Sequence, residues 1–386
     1  MMAPLSGLKV LDLARILAGP WAGQTLADLG ATVIKVEAPG GDDTRTWGPP
    51  FIEREEDRSA AYFYACNRGK KSVAVDLATA EGQEFVTGLA AEADVLIENF
   101  KVGGLTKYGL DYPTLSKLNP GLVYCSITGF GQDGPYADRP GYDYLIQGMS
   151  GLMSITGAPD GEPQRVGVAV TDIFSGLYAV IGIQAALAER ARTGRGQHVD
   201  ISLLDSATGI LANQAMNYFA TGAAPVRTGN AHPNIVPYQV FPVADGDMII
   251  AAGNDAQYRR LCDVLERPDL AADPRYASNA DRVARRDELV EQLAAATRHW
   301  PRDALIAALQ DVKVPVGPIN TIAQVFDDQQ IAARGLRIRP QGVDGVRSPL
   351  RFSDSQLILE RTAPKLDEHG AEVRAAGFGE TGQPQD

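Results

Sequence analysis

Four histidines, His198, His232, His299 and His369, make up the whole imidazole supply of this chain, and none stands in an HExxH or comparable ligand spacing. A metal-dependent hydrolase lacks its usual residues here, and no metal site is expected. There is no GxSxG elbow and no GxxxxGKS or GxxxxGKT loop, so acyl-serine and nucleoside triphosphate chemistry lack their local signals as well. Cys66, Cys125 and Cys262 are widely spaced and form no CxxC pair, which points to neither a zinc site nor a disulfide framework. The carboxylates remain. Asp172 stands out because it lies between Val168-Ala169-Val170 and the mainly apolar run 173–187, where an acid is hard to desolvate. Two readings fit that position. As a helix N-cap, its oxygen would accept a backbone N–H, an interaction typically worth about 1 kcal/mol. As a nucleophile it would use the same setting, since free N–H groups and the helix dipole favour a carboxylate there. An aspartate at its reference pKa of about 3.9 is ionised at neutral pH and needs no general base. It could attack a thioester directly, and the mixed anhydride formed would keep the acyl group activated.

The elements that must position such a residue can be read from periodicity. Residues 8–13 form a short apolar run, 20–29 have helical composition ending at Gly30, and 31–37 alternate as a strand does. Similar runs recur at 72–77, 94–97 and 122–127, with a helical stretch at 80–91. This alternation predicts an α/β fold with a parallel, Rossmann-like sheet. The first turn, 14–20, carries no GxGxxG, so a nicotinamide or flavin dinucleotide is not expected. Glu37 ends the second strand where a ribose-binding acid would sit, although a strand-end carboxylate is more often solvated. The Gly-, Pro- and Asp-dense loop 129–141 leads into the apolar segment 142–155, and loops of that length tend to be functional. A largely buried helix is expected over 172–192, a strand over 199–203 and another helix over 206–219. The composition of 223–233 suggests a crossing or linker. The expected organisation is a large domain over 1–224, completed by 331–386, and a smaller α+β domain over 225–330. In the latter, a strand at 247–252 and helices at 257–265, 282–299 and 302–310 are expected. A strand-like piece at 356–359 follows in the returning segment.

The formal net charge of −12 argues against a nucleic-acid partner, which needs basic surfaces to neutralise phosphates. The longest apolar stretch, 177–187, is interrupted by Gly182 and Gln184 and falls short of a bilayer span, so no membrane association is expected. The N-terminus has no basic and apolar leader pattern, and a cytoplasmic setting is expected. The basic run Arg68, Lys70 and Lys71 reads either as a solvated face or as an attractor of ligand phosphates.

Several stretches resemble one family, the class III coenzyme A transferases of the CaiB/BaiF type, over nearly the whole chain. They include the opening from Pro4 to Leu13, Ala18-Gly19-Pro20, the run from Asp28 to Glu37, and Gly41-Asp42-Asp43-Thr44-Arg45. Asn67-Arg68-Gly69-Lys70-Lys71-Ser72, Glu98-Asn99-Phe100, Ser126-Ile127-Thr128-Gly129-Phe130-Gly131 and Thr193-Gly194-Arg195-Gly196-Gln197 complete the pattern. The resemblance implies that Asp172 forms an aspartyl anhydride and then an aspartyl-CoA thioester. It also implies that coenzyme A, as a substrate rather than a resident cofactor, enters along the carboxyl edge of the sheet past Ala18, Val75, Asn99, Lys107 and Tyr142. An interlocked homodimer is implied too. Racemases of the same superfamily commonly carry a His where this chain has Tyr142, a poor base at neutral pH. Formyl-CoA transferases carry a Gln where it has Leu17 and a glycine-rich loop near Gly253, and carnitine CoA-transferases are a further branch. Residues 41–51 and 231–239 are most similar to transferases using succinyl-CoA and dicarboxylates such as glutarate or hydroxymethylglutarate. In that subgroup, Arg45 or His232 is the expected holder of the distal carboxylate.

Overall fold

Strands buried on both faces organise the larger part of the molecule. The computed structural model describes residues 2–379, and within them the chain forms two compact units. One is built from 2–152, 165–223 and 329–379, the other from 153–164 and 224–328.

The first unit opens with β1 (Lys9–Asp12), α1 (Ala18–Asp28) and β2 (Thr32–Glu37). A hairpin follows, β3 (Phe51–Arg54) and β4 (Asp57–Ala60), then the short α2 (Ala61–Tyr64). Next come β5 (Lys71–Ala74), α3 (Ala80–Glu92), β6 (Val95–Glu98), α4 (Tyr112–Leu118) and β7 (Val123–Thr128). The series closes with α5 (Asp143–Met149), α6 (Val170–Thr193), β8 (His198–Ser202), α7 (Leu203–Gly209) and α8 (Ala212–Thr221). Six strands form one sheet in the order β5-β2-β1-β6-β7-β8, and every pairing is parallel. Alternation sorts the side chains. Val10, Val33, Val95, Ile97 and Cys125 pack in one cluster with Ala22 and Leu26 of α1 and Ala179 and Ile183 of α6. Leu11, Ile34, Val73, Leu96 and Tyr124 pack in the other with Val86 and Leu89 of α3 and Leu115 of α4. Burying each such Val or Leu contributes roughly 1.5–3 kcal/mol. The strand order reverses between β1 and β6, so a crevice opens beyond their carboxyl ends, where open α/β sheets bind ligands.

Helix α6 is longer than the apolar run 177–187 suggests. Its 24 residues are apolar enough to cross a membrane by length and composition alone. Thr171, Ser175, Gly176, Ala179, Ile183 and Ala186 are nevertheless buried, as in the core helix of a globular unit. The expected single helix over 206–219 is two, α7 and α8, because Ala212 takes a left-handed conformation at φ 44° and turns the chain. Segment 356–359 is not a strand. It runs without regular structure, tied by the Ile358 amide to the Asp28 carbonyl at 2.9 Å.

The second unit pairs β9 (Tyr238–Val243), β10 (Gly246–Ala251) and β11 (Val316–Pro318) antiparallel, in the order β11-β10-β9. Six helices accompany them, α9 (Asp255–Val264), α10 (Pro268–Ala272), α11 (Asn279–Ala284), α12 (Arg286–Thr297), α13 (Arg302–Asp311) and α14 (Ile322–Asp327). The helix expected over 282–299 is broken at Arg285, because Arg282 is drawn inward onto Asp255, the Val236 carbonyl and the Tyr258 ring.

Candidate active site

The carboxyl ends of β1 and β6 open into a cleft of about 200 Å³. Arg15, Ile16, Leu17 and Ala18 come from the β1–α1 turn, and Asn99, Phe100, Lys101 and Val102 from the segment after β6. Ile127 to Gly129 close the end of β7, Arg139 to Tyr142 come from the long loop, and Asp172 enters from the first turn of α6. Ala18, Asn99, Tyr142 and Asp172 are therefore brought together.

Asp172 does not cap its helix. Asp143 in the first turn of α5 does so instead, its Oδ1 accepting the Thr171 amide at 2.9 Å and the Thr171 hydroxyl at 2.8 Å. Gln147 donates to Asp143 Oδ2 at 2.9 Å and accepts the Val166 amide at 2.8 Å, fixing the approach to α6. Among the described residues the Asp172 carboxyl makes no side-chain hydrogen bond. Burial, with the Asp143 carboxylate adding to it, pushes Asp172 up to about 7. The reference value used in reading the sequence thus does not describe this site, because the side chain is partly desolvated and faces a second acid. Burial, with the Asp172 carboxylate adding to it, pushes the Tyr62 phenol up to about 12, which keeps it neutral.

The approach of α6 to the cleft depends on Gly176, one turn beyond Asp172. A Cβ there would lie 2.6 Å from the Ala18 carbonyl and 3.2 Å from Trp21 Cβ. At the opposite wall, the Asn99 amide grips Arg15 twice, accepting from its N–H at 2.8 Å and donating to its C=O at 2.7 Å. Helix α1 has no side-chain N-cap, and the Leu17 and Ala18 amides have no acceptor among the described residues. Arg15, Lys101 and Arg139 put three cations on the lining.

The remaining expected residues lie elsewhere. Val75 lines an adjoining slot of about 220 Å³ with Leu13, Val36, Leu77 and Tyr108, and this slot shares Arg15 and Phe100 with the cleft. Lys107 lines neither space, its Nζ lying 4.5 Å from the centre of the Tyr108 ring. Arg45 is turned inward. Its guanidinium meets Glu37 at 2.7 and 2.8 Å, donates to Ser59 and the Pro364 carbonyl, and stacks 3.6 Å over the Phe63 ring. These bonds occupy four of its five N–H donors, Nη1 also lies 3.7 Å from Asp57, and the residue is 5% exposed, so it is committed to the protein rather than to a substrate carboxylate; Glu37, 3% exposed, has none of the freedom a ribose ligand needs. His232 belongs to the second unit, where its Nδ1 accepts the Asn234 amide at 3.1 Å.

The basic run is neither a solvated face nor a phosphate site. Arg68 is paired with Asp28 at 2.6 Å, Lys70 is fully buried against Asp12 at 2.8 Å, and Lys71 meets Glu372 at 2.7 Å. Sequence reasoning missed Arg15, Lys101, Arg139 and Asp143. The last carried a usable signal, since Asp143 opens an apolar stretch just as Asp172 does.

Comparison with known proteins agrees with this geometry. Residues 5–370 match the family described as CoA-transferase family III. A succinate–glutarate CoA-transferase of Agrobacterium fabrum is 57% identical over 380 residues, covering 96% of this chain and 95% of that protein. A succinyl-CoA:glutarate CoA-transferase of Mus musculus is 43% identical, covering 95% and 85% respectively. A crystal structure of a CaiB/BaiF family protein from Brucella suis superposes with a TM-score of 0.89 at 62% identity, covering 97% of this chain and 99% of that one. With a whole-length family match and sequence identity well above what a shared fold alone requires, this chain belongs to CoA-transferase family III.

Proposed function

We propose that this enzyme moves coenzyme A from succinyl-CoA to a dicarboxylate of the glutarate type, with Asp172 as the nucleophile. The observation that carries the reading is a carboxyl without protein partners, partly buried at the sheet's switch point, in a cleft rimmed by Arg15, Lys101 and Arg139. The ionised Asp172 attacks the thioester carbonyl and expels CoA thiolate, giving an aspartyl–succinyl anhydride. The thiolate then attacks the aspartyl carbonyl, releasing succinate and leaving an aspartyl-CoA thioester. The acceptor carboxylate attacks that thioester, and the freed thiolate takes the acceptor's acyl group and regenerates Asp172. Charge and atoms balance at each step without a proton donor. The Leu17 and Ala18 amides are suitably unpaired to receive the oxyanion, and the cations suit CoA phosphates and a distal carboxylate.

The slot at Val75 would take the apolar part of the nucleotide end, and Asn99 and Tyr142 the passage between. Lys107 near the slot's rim and His232 are further candidates for phosphate and distal carboxylate. Arg15 and Arg139 serve the latter purpose better than Arg45. Exposed apolar residues on α6 and α8 support a homodimer, and three buried free thiols suit a reducing cytoplasm. The test is to incubate the protein with succinyl-CoA and a panel of carboxylic acids and to read the acyl-CoA products by mass spectrometry. Glutaryl-CoA or a related dicarboxyl-CoA is expected, and its absence together with unchanged succinyl-CoA rejects this donor and mechanism.

A further inference from the structure

The β1–α1 turn, which lines the cleft together with Asp172, contains a residue in an uncommon conformation. Ile16 lies at φ 72°, a left-handed value that a β-branched side chain adopts only when its surroundings impose it. What imposes it is a set of buried groups that the reaction itself does not use. Lys35, on β2, donates from Nζ to the Ala14 carbonyl at 2.7 Å and lies 2.9 Å from Asp42 Oδ2, and neither side chain has any exposure. The other oxygen of Asp42 accepts the Ile16 amide at 3.4 Å and the Thr44 amide and hydroxyl at 3.0 and 2.7 Å. Glu37 holds the Asp42 amide at 2.9 Å, and Asp12 holds the Ala14 amide at 3.0 Å. With Asn99 on Arg15, the segment 14–16 is gripped at each residue. Burial alone would raise the Asp42 carboxyl, but Lys35 and Thr44 outweigh it and hold it at about 2, so the clamp stays charged.

We propose that Lys35 and Asp42 are positioning residues for transfer: they hold the strained segment 14–17 so that the Leu17–Ala18 turn faces Asp172. This rests on the transferase reading above. Neither residue lines the cleft, so neither touches substrate. Loss of the clamp lets Ile16 relax toward negative φ and carries the turn out of place. The consequence should fall on kcat rather than on KM, because misplacement of about 1 Å can cost on the order of 10²-fold in rate.

The test compares Lys35→Met and Asp42→Asn, each with and without Ile16→Gly, in steady-state transfer assays on folded protein. Expected are a fall in kcat of roughly 30- to 100-fold with KM for succinyl-CoA within about threefold, and recovery of at least about tenfold on adding Ile16→Gly, since glycine adopts φ 72° freely. A folded single variant with kcat within about threefold of wild type, or no recovery in either pair, overturns the proposal. Should the ion-pair variants fail to fold, Ile16→Gly and Ile16→Ala are compared by Tm. Held strain predicts that Gly melts at or above Ala, the reverse of the usual order, and a higher Tm for Ala overturns it. That comparison needs no substrate, so a wild type that transfers nothing would defeat the functional reading and leave the clamp still tested.

Discussion

A carboxylate that attacks a thioester must first lose its proton, and burial keeps one on Asp172 up to about pH 7. Activity should follow that ionisation. In the free enzyme, kcat/KM is expected to rise about tenfold per pH unit below the pKa and to level off above pH 7, as a pH–rate profile would check. The same shift affects stability. The folded-state pKa is raised from 3.8, so between about pH 4 and 7 the folded chain holds a proton that the unfolded chain has released. Stability from this group is therefore full below pH 4 and lost as pH rises through 7. Asp172→Asn should abolish transfer by at least ~10³-fold, yet it should also melt at a higher temperature than wild type at pH 8. The Tm difference should shrink to nothing near pH 4. A gap of constant size across that range would mean that Asp172 titrates normally.

At the scale of elements, the distance between α6 and α1 is set at Gly176, where an added Cβ would meet the Ala18 carbonyl at 2.6 Å. Backbone cannot swing aside as a flexible side chain can. Gly176→Ala should cost about 1–3 kcal/mol in urea unfolding and lower kcat as well, because α6 carries Asp172 away from the Leu17–Ala18 turn. Wild-type stability and rate in that variant would show that the close approach is dispensable. This packing was only partly legible beforehand. The strands near Val10, Val33, Val95 and Val123 were readable because parallel strands are continuous apolar runs, and Asp172 was readable as an acid at the start of an apolar helix. Pairings between distant residues leave no local trace. Lys70 finds Asp12 across 58 positions and Arg54 finds the Ala363 carbonyl across 309, so a basic run that looked solvated is mostly core. Arg45 was misjudged for the same reason, since Glu37 and Phe63 are not its neighbours in sequence.

Over the whole molecule, the exposed apolar surface of α6 and α8 is the ground for the proposed homodimer. Leu177, Tyr178 and Ile181 on α6 are 40%, 41% and 61% exposed, and Met216 and Phe219 on α8 are more exposed still, at 62% and 72%. A soluble monomer rarely leaves such a concentration uncovered, and a second copy of the chain is the proposed cover. The connectivity bears on how that copy could sit. The chain leaves its first unit for 153–164 and again for 224–328, so the second unit is inserted in the first and tethered at each crossing. Two such chains can pass through one another only while incompletely folded. An interlocked dimer then has no dissociation route short of unfolding, unlike a face-to-face dimer, which exchanges subunits by mass action. Native protein should therefore sediment at twice the chain mass at all accessible concentrations. Mixing tagged and untagged dimers should give no hybrids over days at 25 °C, whereas denaturing and refolding the mixture should give them in quantity. Hybrids forming under native conditions would leave the dimer in place but rule out the interlocking, and a monomer in sedimentation would remove both.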